Sequence, residues 1–108
     1  MENYNSHCFY FLDIANITLQ EIPEEGVLQD LSKTVGNCAM QLGVKLGLSR
    51  AAIEGIIFKY PKNMFEQNFG VMKEWISSPK DRTTILMLMK AFESADERGL
   101  TFLIKKYG

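Results

Sequence analysis

From residue 27 onward, apolar side chains recur every three or four positions, with polar residues between them. At 3.6 residues per turn this spacing puts the apolar positions on one face of a helix. Leu28, Leu31 and Val35 predict a first helix over Val27–Val35, interrupted by Gly36-Asn37. Ala39, Leu42 and Leu46 predict a second over Cys38–Leu46, with Gly47 placed to take the left-handed conformation that ends many helices. Ser49 can cap a third helix, Arg50–Tyr60, with Ile53, Ile56 and Ile57 inward, and Pro61 stops it.

Asn63 and Glu66 have the spacing of a capping box. The fourth helix they open carries the stripe Phe65, Phe69, Met72 and Ile76, with Trp75 beside it. Ser77-Ser78-Pro79 reads as a loop. Asp81 or Thr83 then caps a fifth helix with Ile85, Leu88, Met89 and Phe92 inward. Asp96 caps a sixth, on which Leu100, Leu103, Ile104 and Tyr107 share a face. Lys105 and Lys106 fall at its end, where the helix dipole favours cations. No stretch after residue 26 alternates as a strand would, and the short connections fit an antiparallel bundle.

Residues 8–22 are less regular. Cys8, Phe11, Leu12, Ala15, Leu19 and Ile22 predict an additional N-terminal helix, although Phe9-Tyr10 and Ile17-Thr18 would also tolerate a strand. The expected organisation is an N-terminal extension over residues 1–25 and a helical bundle over 26–108.

A chain of 108 residues with 46% apolar content supports one domain and one core. In so small a domain, unpaired apolar surface is a candidate contact surface. The net charge of −1 argues against a general polyanion binder. Its distribution is uneven. Residues 1–32 hold six acids (Glu2, Asp13, Glu21, Glu24, Glu25, Asp30) and no Lys or Arg. The remainder holds twelve bases against seven acids, a balance of +5. This division suits head-to-tail pairing between copies, although small domains are often uneven without any partner.

Cys8 and Cys38 lack the pattern of a disulfide framework or a zinc site and read as small hydrophobes in a reduced, intracellular setting, with a single disulfide as the alternative. No apolar run is long enough to span a membrane. The run CFYFLDIANITL is broken by Asp13 and has no basic residue before it, which makes it a poor signal peptide. Catalytic chemistry is also thin. The sole His, His7, sits near the terminus, so no triad through His can form. Glu24-Glu25 and Asp96-Glu97 are sequence neighbours that point apart on a helix. The glycines form no phosphate-cradling loop. The expectation is no enzyme, no cofactor and no metal.

The corner KLGLSRAAIEGI meets the steric pattern of a helix-turn-helix through Gly43, Gly47, Leu48, Ile53 and Ile56. That pattern concerns packing rather than DNA. A recognition helix presents Arg, Lys, Asn or Gln near its start. Here the outward positions are Arg50, Ala51, Glu54, Gly55 and Phe58, and Glu54 would repel phosphate. DNA binding is kept as the alternative.

The longer order of motifs runs through Leu31-x-x-x-Val35-Gly36, Leu42-x-x-x-Leu46-Gly47-Leu48-Ser49 and Ile53. Glu66-Gln67 and Met72-x-x-Trp75 follow, then Ile85, Leu88 and Phe92. From Leu28 to Tyr107 this resembles a death domain of the death-fold superfamily. Death domains commonly carry a Trp at the start of the second helix, where this chain has Cys38, so the death-effector and caspase-recruitment subfamilies stay open. The resemblance implies an all-α, six-helix antiparallel bundle of Greek-key type. It further implies a non-catalytic cytoplasmic adaptor for apoptotic or innate immune signalling. Its partners would be other death-fold domains, of its own or another chain, with no nucleic acid and no membrane insertion. Such domains join unlike faces, which propagates into oligomers.

Two charge pairings are expected from the residues present. One sets Lys80 and Arg82 against Glu93, Asp96 and Glu97. The other sets Asp30 with Glu24 or Glu25 against Lys45, Arg50, Lys59 and Lys62, with Glu54 on the same helix. For each charge, simple solvation of the surface is the competing reading. Trp75 reads as a core aromatic, with an interface anchor as the alternative. Met64, Leu86 and Met87 read as core filling or as adaptable contact surface.

Overall fold

In the computed structural model the described residues are 14–79 and 82–108, and all regular structure among them is helical. Seven helices follow in order: α1 (Asn16–Leu19), α2 (Glu25–Thr34), α3 (Ala39–Lys45), α4 (Arg50–Lys59), α5 (Met64–Ile76), α6 (Ile85–Ala95) and α7 (Glu97–Tyr107). The six helices expected after residue 26 are α2 to α7.

The local signals act where side-chain chemistry demands. Ser49 Oγ accepts the Ala52 N–H at 3.1 Å and starts α4. Asn63 Oδ1 accepts the Glu66 N–H at 3.1 Å and starts α5. At the end of α3, Gly47 takes φ +89°, and the N–H groups of Gly47 and Leu48 bond back to the carbonyls of Val44 and Gly43, both at 3.0 Å. This is the Schellman arrangement, which satisfies carbonyls the helix leaves open. Gly43 has a different cause. A Cβ there would lie 2.6 Å from Ile53 Cγ1, so the α3–α4 corner closes only around a hydrogen.

Expectations about the first helix, the α6 cap and the α5 stripe are corrected. Among the described residues the N-terminal helix is limited to a single turn, Asn16–Leu19. Pro23 follows closely and disfavours helical geometry in the residue before it, so Ile22 leaves the expected stripe and stands 39% exposed. Cys8, Phe11 and Leu12 of that stripe, like His7, lie outside the described residues. The cap of α6 is Thr84, whose Oγ1 accepts the Met87 N–H at 3.2 Å; Thr83 is instead buried, and Asp81 lies outside the described residues. On α5 the innermost face is rotated from the apolar stripe. It carries Gln67, Asn68, Val71, Met72 and Trp75, leaving Phe65 and Phe69 half-buried and stacked at 5.8 Å.

The buried polar pair explains that rotation. Asn68 Nδ2 donates to the Gly36 carbonyl at 3.0 Å, and Gln67 Nε2 donates to the Tyr60 carbonyl at 2.8 Å. Both bonds tie the central helix to loop backbone. Leaving such groups unpaired would cost about 1–3 kcal/mol each.

The core gathers Leu28, Leu31, Leu42, Ile53, Met72, Leu88, Met89, Phe92 and Leu103 around Trp75. Trp75 is 0% exposed, and its Nε1 donates to the Arg82 carbonyl at 2.8 Å. It is therefore a core residue, and the interface-anchor reading is overturned. Helices α6 and α7 form a tight hairpin, α2 crosses α5, and α3 rests on α5 and α6. Helix α4 packs chiefly on α3 and α5, with Ile53 its one buried residue. Ile56 and Ile57, expected inward, are half-buried for the same reason.

Candidate protein-protein interface

The outward charges fall into separate groups because separate elements carry them. At the α1–α2 turn, Ile14, Leu19 and Pro23 are buried, and the Glu21 carbonyl accepts the Ile85 N–H at 2.8 Å. These anchors hold a turn that a four-residue helix could not hold alone. Glu21, Glu24, Glu25 and, further along α2, Asp30 are exposed, as are Ile17 at 74% and Ile22. Burial, then the charges of Glu24 and Glu21, pushes the Tyr107 phenol up from its ordinary value, so the negative field reaches the end of α7. Glu25 is partly offset by Lys73, 3.4 Å away, in an exposed pair that contributes little.

The α3–α4 side is opposite in sign. Lys45, Arg50, Lys59 and Lys62 are all exposed there. Glu54, the one acid between Val35 and Phe65, is paired with Arg50 at 3.3 Å across one helical turn. Lys59 Nζ lies 5.4 Å from the Tyr60 ring centre. Phe58 stands 87% exposed at the end of α4, and Val44 is 51% exposed on α3. Lys62 adopts φ 61°, a left-handed conformation uncommon for a side-chain-bearing residue, and turns the chain into α5.

The second expected group divides. Arg82 is exposed, while Lys80 lies outside the described residues. Glu97 is exposed and Glu93 is half-buried. Asp96 is corrected from an interface charge to an internal tie. Its side chain is 11% exposed and its carboxylate accepts from the Gly36 N–H at 2.9 Å, the Arg98 N–H at 3.0 Å and the Arg98 guanidinium. These hydrogen bonds, foremost that from the Arg98 side chain, hold the carboxyl below its ordinary range. Met64 and Met87 are exposed, and Leu86 is half-buried.

Sequence reasoning missed Ile17, Val44 and the Glu25–Lys73 pair as surface features. Val44 could have been found, because it lies off the Ala39, Leu42, Leu46 stripe. Ile17 could not, because its direction depends on the anchoring of the turn by residues on other helices.

Other sites offer less. An open cleft of roughly 500 Å³ between the end of α2 and α7 is lined by Thr34, Glu97, Arg98, Thr101, Phe102 and Lys105. Its mixed charge selects no single ligand class. Cys38 is a free, buried thiol whose pKa is raised to about 11 by burial first and by Asp96 second, which leaves it a poor nucleophile. Among the described residues no group of His, Cys, Asp and Glu is arranged to hold a metal ion, and no helix is long and apolar enough to cross a membrane. No protein-family model, curated protein or solved structure matches this chain.

Proposed function

We propose that this chain is a non-catalytic interaction domain of the death-fold type that works by assembling with copies of itself or with related domains. In this reading α2 to α7 are the six helices of the death fold, and the setting is the cytoplasm, in apoptotic or innate immune signalling. The observation that carries the proposal is the division of surface charge between elements. Glu21 and Glu24 in the α1–α2 turn and Glu25 and Asp30 on α2 are exposed, as are Lys45, Arg50 and Lys59 on α3 and α4 and Lys62 just after α4. Arg50 pairs within its own helix and Glu25 with Lys73, so the ion pairs seen among the described residues do not join the two groups to each other. Between molecules they pair head to tail, and a heterologous pairing propagates unless its rotation closes a ring.

Each ion pair in such a contact is weak on its own, so assembly depends on apolar area and on repeated copies. Exposed Phe58 and Val44 on the basic side and Ile17 and Ile22 on the acidic side supply that area. The position of Glu54 beside Arg50 supports a protein partner over duplex DNA, since it neutralises the one outward base reader at the start of α4.

Charge reversal tests the reading. Arg50→Glu and Lys59→Glu replace exposed side chains, so the fold should survive, while sedimentation velocity should show a marked loss of self-association. Unchanged association in both variants would refute the assignment of the basic face.

A further inference from the structure

We infer that the α1–α2 turn is the receptor for Phe58 of a second copy of this chain. The inference rests on the assembly reading above and names its contact.

Four observations converge. Phe58 is 87% exposed, the most exposed of the large apolar side chains among the described residues. It stands near the C-terminal end of α4, one turn on from Glu54, which Arg50 pairs at 3.3 Å, and the cations nearest to it in sequence are Lys59 and Lys62. The two most exposed apolar side chains of the acidic face, Ile17 and Ile22, flank Glu21 and stand close to Glu24. Buried Ile14, Leu19 and Pro23 and the Glu21–Ile85 backbone bond fix this turn, so Ile17 and Ile22 are not free to fold inward.

Exposed Ile17 and Ile22, bordered by Glu21 and Glu24, suit an aromatic side chain bordered by Lys59 and Lys62, with Glu54 already held by Arg50. The aromatic knob supplies the desolvated centre and the charges form its rim, the usual anatomy of a protein interface. Basic α4 on a second copy carries both parts. An α4–α4 contact fits poorly by comparison, because an antiparallel pairing would bring Arg50 of one copy against Lys59 of the other. Since Phe58 and Ile17 sit on elements that do not pack closely on each other, one molecule offers both faces at once and each copy can hold two neighbours.

The test uses the full chain and two variants, Ile17→Asp and Phe58→Asp. Both positions are solvent-exposed, and circular dichroism verifies that each variant keeps its helical content. Ile17→Ala serves in place of Ile17→Asp if the charged variant loses helix. Each variant alone should weaken self-association by about tenfold or more, as removal of a central anchor does. An equimolar mixture should then form a 1:1 heterodimer and nothing larger, because each variant retains the face the other lacks. A wild-type chain that assembles while Ile17 variants assemble equally well would overturn this contact and leave the assembly reading standing. Variants that are both disrupted yet form no heterodimer would show that the two faces do not meet. A wild-type chain that never assembles would overturn both.

Discussion

The carboxylate of Asp96 accepts the backbone N–H of Gly36 at 2.9 Å, across a separation of sixty residues. One side chain thereby caps α7, ties down the α2–α3 corner and neutralises Arg98. The ionised carboxylate thus bonds the α6–α7 corner to the α2–α3 corner.

Removing its charge should loosen that tie in a pH-dependent way. The folded-state pKa of Asp96 is depressed, so its contribution is present above the unfolded pKa of about 4 and is lost as pH falls through and below that value. Asp96→Asn should unfold at lower urea than wild type at pH 7, by about 1–2 kcal/mol. The gap should narrow steadily as pH falls below about 4. A gap that is constant with pH would show that the charge is immaterial.

Cys38 should resist alkylation in the folded protein. It is buried, and with its pKa near 11 the thiolate is scarce at neutral pH. Iodoacetamide at pH 8, mapped by mass spectrometry, should modify Cys38 at least about a hundredfold more slowly in the native protein than in urea. Equal rates would mean that the α3 end of the bundle opens readily.

Lys62 separates stability from assembly. Its left-handed backbone costs about 1–2 kcal/mol, and glycine in its place returns about 0.5–1 kcal/mol of that through greater freedom when unfolded. Lys62→Gly should therefore be as stable as wild type or more so, by up to about 1 kcal/mol in chemical denaturation. It should also self-associate less, because the basic face loses a charge. A variant that is both less stable and equally associated would contradict both arguments.

The helix boundaries were legible because their causes are local. Gly47 and Leu48 close the end of α3, Ser49 and Asn63 each supply an oxygen for the next N–H groups, and Pro61 stops α4 within a residue or two. Thr84 was not legible over Asp81 and Thr83, since all three carry a capping oxygen within four positions. The interior polar ties were illegible for a different reason. Asn68, Gln67 and Asp96 bond to backbone brought near by the fold, and no periodic pattern records that. The candidate surface divides along the same line. Lys45, Arg50, Lys59 and Lys62 are exposed as expected, because off-stripe charges on short helices have nowhere else to go. Asp96 was drawn inward by Gly36 and Arg98. Ile17 and Ile22 turn outward because Ile14, Leu19 and Pro23 hold the core side of the same turn.

Head-to-tail assembly through unlike charged faces is the central claim, and static light scattering over a protein-concentration series at low and high salt tests it most directly. The account predicts a weight-average mass that rises with concentration at low salt and falls back toward the 12.3 kDa monomer at high salt, where the Debye length shrinks to about 3 Å at 1 M. A mass that stays at the monomer value at every concentration and salt would contradict it.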